Sequence, residues 1–222
     1  MANNDISRFF GAADRALIEA AVKEAEKRTS GEIVPYAVAG CDEYEVARWR
    51  AASLGALLGA LVAALAFHYG NFWGGLVDFW IAVPPAVGAA LGYVLALAFP
   101  ALRRSLIPRE LLAERAAQRA AAAFLEQEVF ATRERTGILI LVALFERRVV
   151  VLGDSGINAN VKQHEWDGIV AEIVAGIKAG TPGQALAAGI GKCGELLERH
   201  RVTRRADDFD ELPDYLRTEN RH

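Results

Sequence analysis

The chain has 222 residues, 53% of them hydrophobic, and a formal net charge of -3 at pH 7. That length suits one domain, or one domain with an added module. The near-neutral charge argues against a nucleic-acid partner, and the lone Cys41 and Cys193, with no C-x-x-C spacing, argue against a zinc site or disulfide framework.

The opening "MANNDISRFFGAADRAL" has no basic stretch leading into an apolar core, so no secretory signal is expected. Asp5 or Ser7 starts a predicted helix to about Arg28, with Phe10, Leu17, Ile18, Ala21 and Ala25 on one face. "TSGEIVPYAVAG" then reads as a turn and a strand, Ile33 to Val38, which Pro35 pushes toward an edge or bulged position. "CDEYEVARWR" is expected to continue as helix into the next segment.

Two uncharged runs follow, Ala51 to Phe67 and Phe79 to Phe99. Their length and composition predict a transmembrane helical hairpin rather than a pair of buried core helices. Pro84 and Pro85 are compatible with a second span, Val83 to Leu102, if the helix starts there, because the first turn needs no backbone N–H. Phe67, His68, Tyr69, Phe72, Trp73, Phe79 and Trp80 suit an interfacial aromatic belt. Arg48 and Arg50 precede the first run; Arg103, Arg104 and Arg109 follow the second. The positive-inside rule therefore expects an inner-membrane protein with both termini and the soluble part cytoplasmic. Gly55/Gly59 and Gly88/Gly92 form two G-x-x-x-G pairs, allowing close approach within the hairpin or a homo-oligomer between protomers. Neither run holds Lys, Arg, Asp or Glu, so the hairpin reads as an anchor and not as an ion pathway.

"PRELLAERAAQRAAAAFLEQEVF" predicts a long helix with Leu112, Ala116, Ala120 and Phe124 repeating every fourth residue. "GILILVALF", Gly137 to Phe145, shows no alternation, which predicts a strand covered on both faces. "RRVVVLGD" returns from it as an antiparallel partner after a turn longer than two residues. Trp166, Val170, Ile173 and Ile177 stripe one helix; "TPGQ" opens another with Thr181 as its cap, in which Leu186, Ile190, Cys193 and Leu197 share a face. That stripe makes Cys193 a packing residue. The segment after Arg201 is polar and charged, a tail expected to be partly disordered. Helix and strand alternate, so the soluble part is α/β, interrupted by the hairpin. The expected division is residues 1–50 and 105–201 as the two parts of one domain, 51–104 as the hairpin and 202–222 as the tail.

"TSGEIVPYAV", "RTGILILVALFERRVVVLGDSGI", "HEWDGIVAEI" and "DELPDYL" resemble the TPM domain family, most closely its bacterial membrane branch with two spans inside the domain. The resemblance implies a Rossmann-like α/β sandwich with a small mixed sheet. It also implies one of three roles: acid phosphatase activity with divalent metal binding, assembly or repair of membrane protein complexes, or receptor modulation.

Phosphatase chemistry needs charge stabilisation and a nucleophile or metal-activated water. Asp154, in "GDSG" at a strand end, is the candidate catalytic carboxylate and metal ligand, with Gly156 offering a backbone N–H to an anion. The competing and preferred reading is an Asx-type exit turn. Glu32 is the second candidate ligand for Ca2+ or another divalent cation, Arg148 (beside Arg147) the candidate phosphate clamp, and Asp167 a further binding residue. If the domain is not an enzyme, no cofactor is implied. There is no P-loop, G-x-G-x-x-G, H-E-x-x-H or G-x-S-x-G. The expectation is therefore a membrane-anchored interaction or assembly factor with the bilayer and unidentified membrane proteins as partners, and a divalent-metal phosphatase is the alternative.

Overall fold

The computed structural model describes residues 3–70, 77–159, 161–200 and 212–219. In chain order the elements are α1 (Asn3–Phe9), α2 (Ala12–Glu26), β1 (Ile33–Val38), α3 (Glu45–Tyr69), α4 (Val77–Ala98), α5 (Pro100–Ser105) and α6 (Arg109–Glu126). They continue with β2 (Ile138–Ala143), β3 (Arg148–Gly153), α7 (Ser155–Asn158), α8 (Gln163–Lys178), α9 (Pro182–Arg199) and β4 (Arg217–Glu219). The chain forms two compact units: Met1–Cys41 together with Ala113–His222, and Asp42–Leu112.

The first unit is an α/β sandwich around a mixed sheet of order β3-β2-β1-β4. β1 runs parallel to both β2 and β4, and β2 runs antiparallel to β3. Every residue of β2 is buried. Ile138, Ile140 and Val142 enter one core with Ile18, Ile173, Leu186 and Ile190. Leu139, Leu141 and Ala143 enter another with Ala116, Ala120 and Ala123 of α6. Two apolar faces explain the missing alternation in "GILILVALF". Each leucine, isoleucine or valine among them contributes about 1.5–3 kcal/mol on burial. The stripe Leu186, Ile190, Cys193 and Leu197 on α9 is fully buried, as its spacing predicts.

Pro35 is tolerated in a strand with a neighbour on each side for a local reason. The carbonyls of Glu32 and Val38 accept from Ile138 and Leu144, so even-numbered residues of β1 face β2. Odd-numbered residues face the β4 side, where pairing begins only at Tyr36↔Arg217. The N–H that Pro35 lacks would point beyond the end of β4, where none is needed. One step earlier, the N–H of Ile33 donates to Glu26 Oε1 at 2.9 Å. β1 is thus an interior strand, and the edge that Pro35 requires is supplied by the shortness of β4.

Three further expectations are corrected. The first helix is split at Phe10–Gly11, because Asp14 Oδ2 accepts the Gly11 N–H at 3.0 Å and caps a new helix there; Leu17 is exposed. Thr181 stands at the start of α9 but makes no side-chain cap; its hydroxyl donates to the Gly176 carbonyl at 3.2 Å. The described part of the C-terminal segment is not a solvated tail: Leu216 is buried and Arg217–Glu219 forms β4, while 201–211 and 220–222 lie outside the described residues. Side chains hold β4 in place. The Tyr36 hydroxyl donates to Glu219 Oε2 at 2.6 Å, Arg119 donates to Tyr36 Oη at 2.7 Å, and Arg119 pairs with Glu219. Burial, and then the hydrogen bond to Glu219, holds the Tyr36 phenol well above its ordinary range.

The second unit is a helical hairpin. α3 and α4, of 25 and 22 residues, are long and apolar enough to cross a membrane. Leu57, Leu58, Leu61, Ile81, Leu91 and Val94 are exposed along them. α4 starts at Val77, not at Pro84, so both prolines lie inside the helix. The carbonyls of Trp80 and Ile81 therefore lose their usual donors, a defect tolerated where neighbouring groups compensate. The two helices touch through their glycines. A Cβ on Gly55 would strike the Gly88 carbonyl, and one on Gly92 would strike that of Ala51. Of the two arrangements the G-x-x-x-G pairs allow, the structure shows close approach within the hairpin. Phe72 and Trp73 of the expected belt lie outside the described residues.

Candidate functional site

The end of the sheet where β1 and β2 begin and β3 finishes gathers most of the unit's buried polar residues among those described: Thr29, Glu32, Thr132, Thr136 and Asp154. Hydrogen bonds tie two short segments together. Thr136 Oγ1 donates to the Ser30 carbonyl at 2.9 Å, the Thr136 N–H to Thr132 Oγ1 at 2.9 Å, and the Gly31 N–H to Thr29 Oγ1 at 3.1 Å.

Asp154 follows β3 directly and caps α7. Its N–H donates to the Gly137 carbonyl at 2.9 Å, and its Oδ1 accepts from the Ser155 N–H at 2.6 Å. Its side chain is only 4% exposed, yet it meets a cation. Arg135 Nη2 donates to Oδ1 at 3.0 Å and Arg135 Nε lies 2.8 Å from Oδ2, a two-point pair. Arg135 holds a left-handed backbone, φ 59°, with its guanidinium 5.8 Å from the Phe130 ring centroid. Gly156 is required here: its N–H donates to the Arg135 carbonyl at 3.0 Å, and a Cβ would strike the carbonyls of Glu134 and Arg135. The Gly156 N–H therefore serves the fold rather than facing outward to an anion.

Glu32 lies at the same end of the sheet, just before β1. Its carbonyl accepts from Ile138, while the Asp154 N–H donates to Gly137 on the other side of the same strand. The start of β2 therefore separates the two residues by two strand spacings, roughly 10 Å of backbone. Arg148 pairs with Ala143 at the opposite end of β3 from Gly153, which pairs with Ile138. The length of the strand, roughly 20 Å, keeps Arg148 from acting at Asp154. Asp167 is exposed on α8 and accepts from Gln163 Nε2 at 3.2 Å. Of the five residues singled out in the sequence, Asp154, Gly156 and Glu32 share a sheet end, and Arg148 and Asp167 stand apart.

Arg135 is the residue the sequence reading misses. Its signal was the hairpin register: with Ile138 opposite Gly153, the polar turn before β2 must lie over the residue after β3. Glu146, in the turn between β2 and β3, is also buried, and its Oε1 accepts from the Cys41 N–H at 2.8 Å.

The donor set can be tested against a divalent cation. Ca2+ takes six to eight oxygens, and a guanidinium two contacts deep on Asp154 holds the carboxylate face that such an ion needs. Among the described residues no group of three or more His, Cys, Asp or Glu comes together. In this arrangement the residues do not fit a bound cation.

The TPM domain family matches residues 106–196, from just before α6 to near the end of α9. No curated protein matches the chain. Among solved structures, the chain is similar to the NMR structure of the BA42 protein from the psychrophilic bacterium Bizionia argentinensis. The identity is 23%, the match covers 95% of this chain and 96% of that one, and the TM-score is 0.58, a likeness of fold. The stretch that matches the TPM domain, residues 106–196, holds β2, β3 and the Asp154 sheet end.

Proposed function

We propose that the protein is a membrane-anchored TPM-domain protein that serves as an interaction or assembly factor for membrane protein complexes, with its soluble domain on the cytoplasmic side. The observation that carries this reading is the hairpin: two adjacent apolar helices present leucine, isoleucine and valine outward along their length. A soluble protein would bury such faces, whereas lipid covers them without cost. No Lys, Arg, Asp or Glu lies between Ala51 and Tyr69, which favours an anchor over a pathway. In the TPM unit, Asp154 is engaged by Arg135 and Ser155, which supports a structural part for the best catalytic candidate. The test is affinity purification of the full chain from membranes in a mild detergent, followed by mass spectrometry. Other membrane proteins are expected at stoichiometric amounts, and recovery of the chain alone would overturn the reading.

A second reading, a divalent-metal phosphatase, draws on one observation: Glu32 and Asp154 are two buried carboxylates at one end of a sheet. It requires Arg135 to release Asp154. Calorimetry with Ca2+ and phosphate-ester hydrolysis, on the wild type and on Asp154→Asn, test it. Metal binding and hydrolysis that both vanish in the variant support it; failure to detect either in the wild type removes it.

A further inference from the structure

A cavity of about 430 Å³ opens at the other end of the TPM unit, where β2 ends and β3 begins. That volume lies within the range of small-molecule sites. Its wall is apolar, formed by Phe9 of α1, Leu144 of the hairpin turn, and Val174 and Ile177 of α8. Its remaining lining carries Arg147, Arg148 and Lys178, and no acidic residue lines it. The length of β3 separates it from Asp154.

Two features need a common explanation. An apolar wall favours an alkyl group at about 0.8 kcal/mol per buried CH2, and cationic side chains along the same cavity favour an anion. Arg147 adds a third feature: it sits at φ 53°, in a turn where glycine or asparagine would be unstrained. From this charge complementarity we infer that the cavity binds a single-chain anionic amphiphile, with its alkyl chain against Phe9, Val174 and Ile177 and its phosphate or carboxylate head between Arg147 and Lys178. The ligand class is one molecule carrying both groups, not an inorganic anion and not a neutral surfactant. The site is independent of either reading of Asp154.

The full chain in phosphatidylcholine nanodiscs provides the test, with octyl phosphate titrated by calorimetry against empty discs. Saturable one-to-one binding is expected, with inorganic phosphate and octyl glucoside each at least about tenfold weaker. Exchanging both exposed cations, Arg147→Gln with Lys178→Gln, should weaken octyl phosphate by about tenfold. Arg147→Gly separates function from fold: the melting temperature should hold or rise while binding falls. Heat no greater than that of empty discs overturns the site. Equal binding of inorganic phosphate reduces it to an anion patch, and binding indifferent to Arg147 and Lys178 reduces it to apolar partitioning; either outcome overturns the proposal. If the double variant fails to fold, Arg147→Gly alone decides.

Discussion

Arg135 grips Asp154 from a left-handed backbone position, through contacts of 3.0 Å to Oδ1 and 2.8 Å to Oδ2. The pair joins the turn before β2 to the turn after β3, so one ion pair fixes both exits of the antiparallel hairpin. The partners are unequal: Asp154 is buried, whereas the Arg135 side chain is 52% exposed. Removing the arginine strands a buried carboxylate, and the exposed partner moderates the cost.

Arg135→Gln should therefore destabilise the α/β unit by about 1–2 kcal/mol. A double-mutant cycle with Asp154→Asn, read by chemical denaturation, should show a coupling energy of similar size. Additive effects of the two changes would mean that the pair does not act as a unit.

The glycine contacts make α3 and α4 sensitive to volume. Gly88→Val should lower the melting temperature of the detergent-solubilised chain, because its side chain must displace the Gly55 backbone. Leu91→Val, at an exposed position of the same helix, serves as the control and should change little. Equal effects of both changes would contradict the packing described for the hairpin.

Tyr36 gives an alkaline signature. An unfolded phenol titrates near 10, and in the fold burial and Glu219 raise it further. A raised folded pKa contributes stability that is complete below about pH 10 and is lost as pH rises above it. Tyr36→Phe should flatten the stability-versus-pH slope above about pH 10. An unchanged slope would show that the Tyr36–Glu219–Arg119 cluster does not hold the proton.

Cys193 should be silent toward thiol reagents. Burial pushes its thiol up to about 12, and only the thiolate reacts. Labelling at pH 8 with a disulfide reagent should require denaturant. Fast labelling of Cys193 in the native chain would place it outside the core.

Much of this fold is legible from patterns that need no partner. "GILILVALF" announces a doubly covered strand, the Leu186–Leu197 stripe announces a packed helix, and two long uncharged runs announce a helical hairpin. The parts that are hidden depend on pairing. Pro35 reads as an edge signal until the length of β4 is known, and β4 itself is a three-residue strand within a charged segment. Pro84 and Pro85 read as a helix start because nothing in the chain reveals the seven helical residues before them, Val77 to Val83.

The candidate site divides in the same way. Asp154 and Gly156 are visible as a glycine-flanked strand exit, and their roles as cap and close-approach point follow from that chemistry. Arg135 is not visible, because its importance comes from the β2–β3 register rather than from its neighbours in sequence. Arg148 misleads for the complementary reason: it is near Asp154 in sequence, but an extended strand converts that nearness into distance.

The functional reading stands on the hairpin as an anchor, and alkaline carbonate extraction of membranes from cells expressing the full chain tests it most directly. Retention of the chain in the membrane pellet is the expected result, matching a known integral control. Quantitative release into the supernatant, as for a peripheral protein, would contradict the anchor and with it the membrane-complex role.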